Sequence, residues 1–433
     1  MTAPAWWTAV SPRWRKRLPW ILIVAAFALR IGYATSVGLT RPIPGGSDEE
    51  EYDTYAWNVA QGHGYRGMSP DVKDRDHLTA YRPPGPSLVY AAIYRVVGHH
   101  PTAIRIFNCA LAAASCLLLL AIGRRTVGET SAWIGAIIWA AWPQSIVLSG
   151  TLLSEQLALA ALLWLVLAAL TFAERPTFNY ALLAGIALGT NLLVHPSRLF
   201  VLPVLGLWVL VQFRRSPRTL ALATIVPIIA LLMLVPWIVR NERVFGAFIP
   251  FSTMGGSVLL QGNNRIVATE PEYLGYNVWD TAIPEYADAL RAPNDELERD
   301  RVAKKLAVDW ILGHQDRWVP LTIAKIRRGW TPILRPHSPL VQRIAMFVSW
   351  GPILVLFLLG FIPSLLRFLK AGHPGWLLHM IILHLVALNV VFFGYSRYRY
   401  VVEPYCVLIA VGTMMWWISS RRGDRAAAGP PLN

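Results

Sequence analysis

Long apolar stretches separated by short basic clusters dominate this chain. Candidate membrane spans lie near residues 19–39, 103–123, 130–148, 152–173, 179–194, 198–213, 219–239, 345–366, 374–393 and 400–418. A helix needs about 20 residues to cross the hydrocarbon core, so the two stretches split by His195-Pro196 are short for the task. Two segments break the rhythm, 40–102 and 240–344. Connections of that length are usually functional. The second mixes turn signals (GAFIPFSTMGGS, QGNN) with helical periodicity. Within residues 295–313, Leu297, Val302, Leu306 and Trp310 recur on roughly one face, which predicts an amphipathic helix lying on the membrane or on the bundle. Trp310, Trp318 and Trp330 suit an interfacial belt.

Basic residues set the orientation. With the N-terminus in the cytoplasm, Arg13, Arg15, Lys16 and Arg17 lie inside. So do Arg124, Arg125, Arg175, Arg214, Arg215, Arg218, Arg367, Lys370, Arg421, Arg422 and Arg425, as the positive-inside rule asks. The expected topology is about ten transmembrane helices, multi-pass, with both termini cytoplasmic and both long segments outside. The first span follows a basic stretch and runs too long before any cleavage site, so it reads as a retained anchor. Residues 1–433 form one integral membrane domain in this reading, and 419–433 a disordered cytoplasmic tail.

Composition agrees: 55% of residues are hydrophobic and only 15% charged. The net charge of +15 does not indicate nucleic acid, because much of it sits in the clusters between spans. Cys109, Cys116 and Cys406 fall in apolar spans, show no metal-type spacing and read as packing residues. No internal repeat is visible.

The chemistry starts at Asp48-Glu49-Glu50-Glu51, just past the first span. Charge within reach of a bilayer face is expensive unless it is paired or used. Asp48, Tyr52 and Ala56 recur every four residues, continued by Val59 and Ala60. That spacing predicts a short helix with its acids in the first turn, where the helix dipole favours them. One reading is an ordinary acidic helix start; the other is a carboxylate facing a cavity as a general base.

The string Asp48, Glu49, Tyr52, Ala56, Asn58, Gly62, Gly64, Tyr65 resembles the first outer loop of bacterial glycosyltransferases of the protein-mannosyltransferase type (family 39, with the aminoarabinose transferases as relatives). Tyr81-Arg82-Pro83-Pro84-Gly85 resembles their R-P-P segment, and Ser149 to Glu155 their segment ending in T-E or S-E. Pro236-Trp237 through Arg240-Asn241, followed by Phe245-Gly246, Gly255-Gly256 and Gly262-Asn263-Asn264, resembles the second outer loop. Arg397-Tyr398-Arg399 resembles the R-Y-R signature. One departure stands out: many relatives have Thr-Arg-Pro after the fifth span, and this chain has Val194-His195-Pro196, with Arg198 one turn later.

The resemblance implies an all-α GT-C-like bundle with two large extracytoplasmic loops carrying juxtamembrane helices. It implies an inverting enzyme of a bacterial-type inner or plasma membrane. Such an enzyme moves a sugar from a polyprenyl-phosphate carrier to an extracytoplasmic acceptor hydroxyl, with Asp48 as the matching base and Glu49 beside it. The chemistry agrees. A phosphate leaving group needs no strong general acid, so one base and some cations suffice. Candidate phosphate-binding cations are Arg82, Arg240, Arg397 and Arg399. Arg399 and Glu403, four apart, are placed to pair, which leaves Arg397 freer. Glu155, Tyr52, Tyr81 and His195 complete the expected cavity, and a divalent cation stays open. His379 and His384, five apart, read as interhelical hydrogen-bonding residues. The sugar is mannose or another hexose; the acceptor is a protein hydroxyl, a lipid head group or a glycan. Two other readings are a lipid-linked substrate transporter or flippase, and a non-catalytic cell-envelope glycan assembly protein. The first lacks paired broken spans in matching halves; against the second stands the early acidic motif.

Overall fold

The computed structural model describes residues 5–67, 77–293, 295–334 and 338–421. The expected tail therefore lies almost wholly outside the described residues, as do Arg422 and Arg425. Among the described residues the protein is helical, with one isolated bridge between Arg66 and Leu78.

The protein is a multi-pass membrane protein. Among the described residues six helices are long and apolar enough to cross a membrane: Pro12–Ser36, Pro101–Thr126, Glu155–Glu174, Pro217–Phe245, Leu340–Lys370 and Pro374–Val391. A seventh is broken: Glu129–Ala140 and Pro143–Ser149 meet at 51°. Pro143 cannot continue the preceding hydrogen-bond ladder but suits the start of a new helix. The other expected spans correspond to Phe178–Val194, Pro196–Gln212 and Glu403–Arg421. Each of the ten expected stretches is helical, but the count of ten spans is not confirmed: two of these three helices are only 17 residues long, and Glu403–Arg421, at 19, is not among the helices apolar enough to cross. Phe178–Val194 ends at His195, whose extended backbone (φ −152°, ψ 118°) leads into Pro196.

The first long connection carries two helices, Asp48–Ala60 and Pro84–Val97. Ser47 caps the acidic helix by accepting from the Glu50 N–H. Tyr52, Ala56, Tyr90 and Tyr94 pack the two helices together over Leu152.

The second long connection builds its own small core from Leu260, Val267, Ile283, Ala303, Ala307, Trp310 and Leu321. The amphipathic helix predicted at 295–313 is Glu296–Gly313, capped by Asp295. It turns Arg299, Ala303, Ala307 and Trp310 inward, while Val302 and Leu306 flank that face half-buried. It packs on the helix Gly255–Gly262 of the same connection. Trp310 is buried in this core, whereas Trp318 is exposed.

Three sets of contacts lock the two connections to each other and to the bundle. Glu296 accepts from the Thr79 hydroxyl at 2.6 Å and the Ala80 N–H at 2.7 Å. Arg240 donates to the carbonyls of Thr79 and Tyr65, both at 2.8 Å. Asn263 donates to the Val391 carbonyl at 2.9 Å, and Lys325 donates to Asn263 at 2.8 Å. At Gly262 a Cβ would stand 1.9 Å from the Phe392 carbonyl oxygen, so only glycine permits this approach. The end of helix Leu377–Val391, and with it the segment carrying Phe392, Phe393 and the short helix Ser396–Arg399, is held by the second connection.

Candidate active site

A cavity of about 310 Å3 opens where both long connections meet helices Glu155–Glu174 and Leu377–Val391. Of the expected residues, Asp48, Tyr52, Arg82, Glu155, His195 and Arg397 line it. They reach it from separate stretches of chain, and a line of ion pairs joins the charged ones.

Asp48 sits in the first turn of its helix and uses both carboxylate oxygens. Arg82 donates to Oδ1 at 2.7 Å, and Arg397 donates to Oδ2 at 3.0 Å. Arg82 turns its Nε to Glu51, and Arg397 turns its Nε to Glu155. The order is Glu51, Arg82, Asp48, Arg397, Glu155: three carboxylates against two guanidiniums. Helical spacing explains part of this, since Asp48, Glu51 and Tyr52 share one face of Asp48–Ala60. The guanidinium of Arg82 also lies over the rings of Tyr52 and Tyr81, 5.7 and 5.4 Å from their centroids.

Burial alone would push the Asp48 carboxyl up. The adjacent Arg82 and Arg397 guanidiniums, with the hydrogen bonds they donate, outweigh it and hold the group below the usual carboxylate range. For Glu51 the balance goes the other way: burial outweighs Arg82, and the carboxyl is raised. Glu155 and Asp48 hold Arg397 firmly charged despite its burial.

His195 lines the cavity near Tyr398, with ring centroids 6.4 Å apart. The Ser197 backbone N–H points at its Nδ1 at 3.4 Å, and the Ser197 hydroxyl lies 2.8 Å from the same atom. A backbone N–H only donates, so Nδ1 is the acceptor and the ring proton sits on Nε2.

Four expected residues stand elsewhere. Glu49 lies about 100° around the helix from Asp48 and accepts from the Leu152 N–H at 2.9 Å. Arg240 bonds the backbone of the first connection, as described above. Arg399 is buried, pairs with Glu403 at 2.7 Å as its spacing predicts, and donates to the Gly329 carbonyl at 2.8 Å. Tyr81 is buried beside Arg82 but does not line the cavity. Arg397 lines the cavity as expected, yet it is not free of carboxylates.

The sequence motifs contain Glu51 and Tyr398 but assign neither a place in the site: Glu51 pairs with Arg82 without lining the cavity, and Tyr398 lines it together with an unforeseen apolar wall of Leu385, Leu388, Phe392 and Phe393. Glu51 was within reach, being three residues after Asp48 on the same face. The apolar wall carries no signal that separates it from ordinary core.

A divalent cation fits this site poorly. Among the described residues no three His, Cys, Asp or Glu side chains come together to hold a metal. Between Asp48 and Glu155, where two carboxylates would offer ligands, the Arg397 guanidinium already bonds both.

The family model for dolichyl-phosphate-mannose-protein mannosyltransferase matches residues 81–239. That range contains the Tyr81-Arg82-Pro83-Pro84-Gly85 segment, Glu155 and His195, while Asp48 and Arg397 lie outside it. No curated protein matches the chain. Among solved structures, the oligosaccharyltransferase of Archaeoglobus fulgidus in its apo form has a TM-score of 0.59 at 13% identity, covering 98% of this chain and 53% of that one. The same archaeal enzyme, AglB, in complex with an inhibitory peptide and a dolichol-phosphate, has a TM-score of 0.53 at 14% identity, covering 96% and 52%. ArnT from Cupriavidus metallidurans bound to undecaprenyl phosphate has a TM-score of 0.44 at 14% identity, covering 95% and 80%. The chain therefore shares the fold of the archaeal transferase, a GT-C-like bundle, and spans about half of its length.

Proposed function

We propose that this protein is an inverting glycosyltransferase that takes a sugar from a polyprenyl-phosphate carrier and passes it to an acceptor hydroxyl. The observation that carries this reading is Asp48, which reaches a cavity walled on one side by charged groups and on the other by Leu385, Leu388 and Phe392. The polar side suits a sugar and its acceptor. The apolar side suits the first isoprene units of a lipid carrier. The archaeal neighbour binds a dolichol-phosphate, and the matched family is one of dolichyl-phosphate-mannose users, which fits the same class of donor.

In this reading Asp48 takes the proton of the acceptor hydroxyl as its oxygen attacks the anomeric carbon. The bond from that carbon to the phosphate oxygen breaks, and the phosphate leaves with the electron pair. The attack comes from the face opposite the phosphate, so the configuration inverts. Arg82 and Arg397 keep Asp48 ionised and aimed before the reaction. When Asp48 takes the proton, Arg82 and Arg397 stay balanced by Glu51 and Glu155. Glu155 fixes Arg397, and Tyr52 and His195 line the acceptor space.

The loops spanning 40–102 and 240–344 face outside the cytoplasm, together with the cavity, and both termini lie inside. The acceptor is then a protein, lipid or glycan hydroxyl of the cell envelope. The test is Asp48→Asn in membranes supplied with a polyprenyl-phosphate hexose. Transfer should fall by about 10²–10⁴-fold at normal expression; unchanged transfer would remove Asp48 from the chemistry.

A further inference from the structure

Among the described residues Arg198 is a cavity-lining cation without a carboxylate partner. It follows the break at His195-Pro196, lines the cavity and is only 3% exposed. Among the described residues no carboxylate pairs with it, and its Nε has no hydrogen-bond partner. Its Nη1 lies 3.2 Å from Nε2 of His384. A guanidinium only donates, so that nitrogen is an acceptor, and His384 uses its Nδ1 proton on the Ile381 carbonyl. Arg198 thus faces a neutral imidazole. Among the described residues the fully buried Tyr405 hydroxyl also has no hydrogen-bond partner.

Arg30 and Arg105, also buried without carboxylates, leave Nε idle too, but they spend their other donors on oxygen acceptors: Arg30 on the carbonyls of Ala26 and Ala140 and the Ser145 hydroxyl, Arg105 on the carbonyls of Leu39 and Arg41. Among the described residues Arg198, which lines the cavity, meets only the His384 imidazole. An unpaired buried cation with an idle donor is costly unless something supplies the countercharge.

The charge distribution says where an anion can go. Around Asp48, three carboxylates face two guanidiniums, which leaves that end of the cavity short of positive charge. At the Arg198 end the balance is reversed. Leu199 and Phe200 follow Arg198 directly and line the cavity with Phe392, so the cation sits next to the apolar wall. Irregular backbone at this depth is tolerated where it borders a cavity.

We infer that Arg198, with its unoccupied Nε, binds an oxyanion of the substrate in its ground state, while the Asp48 cluster holds the acceptor. This rests on the glycosyltransferase reading and assigns the charge-binding role within it to a residue other than Arg82 or Arg397. The oxyanion is the lipid phosphate or a carboxylate carried by the sugar.

The test uses the full chain in detergent and compares binding of a C55 polyprenyl monophosphate with the same-length polyprenol. A second arm compares glucuronate with glucose as protectants against thermal unfolding. The wild type should prefer the charged member of one pair. Arg198→Gln should lower that preference about tenfold, with Arg198→Lys recovering part of it. Asp48→Asn should leave it intact or strengthen it. A lost phosphate preference identifies the donor phosphate, and a lost glucuronate preference identifies a sugar carboxylate. If Arg198→Gln melts as the wild type does and keeps both preferences, the assignment is overturned. Should that variant not fold, Arg198→Lys decides alone: it must weaken binding of the anion and spare its neutral partner. A wild type that shows no preference for the phosphate counts against the lipid donor itself, and the glucuronate arm still judges Arg198.

Discussion

Arg397 donates from Nη2 to Asp48 at 3.0 Å and from Nε to Glu155, so one guanidinium ties the first long connection to the helix Glu155–Glu174. A lysine keeps the charge but offers a single prong in place of two fixed directions. Arg397→Lys should lower the transfer rate by about 10–100-fold, the loss of one strong charged hydrogen bond. Expression and melting temperature should stay near wild type. Rate measurements in reconstituted membranes check this, and an unchanged rate would show that the bridge does not matter.

The pH dependence follows from Asp48. Its carboxyl is held below the usual carboxylate range, so as a base it stays ionised through mildly acidic pH. Transfer should therefore show no acid limb above about pH 4, where an unperturbed aspartate titrates. Arg82→Gln removes one of the two cations, which raises the Asp48 pKa. The acid limb then moves to higher pH, and activity is lost earlier on acidification. A profile of kcat/KM for both proteins reads the shift directly; a limb that stays put would mean that Arg82 does not tune the base.

Neighbouring acids should part company. Glu49 accepts a backbone N–H from Leu152, a task that a glutamine carbonyl oxygen performs as well. Glu49→Gln should keep transfer within about twofold, against the 10²–10⁴-fold loss expected for Asp48→Asn. Equal losses would place both carboxylates in the reaction.

Arg240 was among the candidate phosphate cations, yet its guanidinium is spent on the carbonyls of Thr79 and Tyr65 and lies over Trp237, 5.1 Å from the ring centroid. Arg240→Gln should cost about 1–3 kcal/mol of stability through lost hydrogen bonds and leave the KM for donor unchanged. Thermal melting and donor titration separate the two effects.

Lys325 gives a stability test that does not touch the cavity. It is buried, and burial lowers its pKa from 10.5 to about 7. An amine depressed in the folded state favours folding at high pH and loses that contribution as pH falls towards 7. Wild-type stability should rise as pH goes from about 7 towards 10. Lys325→Met should flatten the rise and be more stable at pH 6, on the order of 2 kcal/mol. Melting curves in detergent at several pH values decide it.

The charged half of the cavity was legible from sequence because its residues stand in short motifs. Asp48 and Tyr52 share a helix face, Arg82 begins the Arg-Pro-Pro segment, and Glu155 and Arg397 start or precede helices. Which way a charge points was harder. Glu49 and Asp48 differ by one residue and therefore by about a quarter turn, which the string of acids does not resolve. Arg240 and Arg399 look like site residues in a one-dimensional reading because the backbone carbonyls they serve come from distant parts of the chain. The apolar wall was invisible for a different reason: Leu385, Leu388 and Phe392 follow the same helical period whether they face lipid, core or cavity. The break at His195-Pro196 was plain, but only the three-dimensional arrangement shows Arg198 without a carboxylate.

The glycine at position 262 leaves the Phe392 carbonyl no room to retreat, and Asn263 and Lys325 clamp the same turn from the side. A lid that swung freely on its tethers would tear these bonds, so the large loop and the span beneath it can only tilt together. On the glycosyltransferase reading, any motion that admits a lipid carrier must therefore move Phe392 and the large loop as one piece.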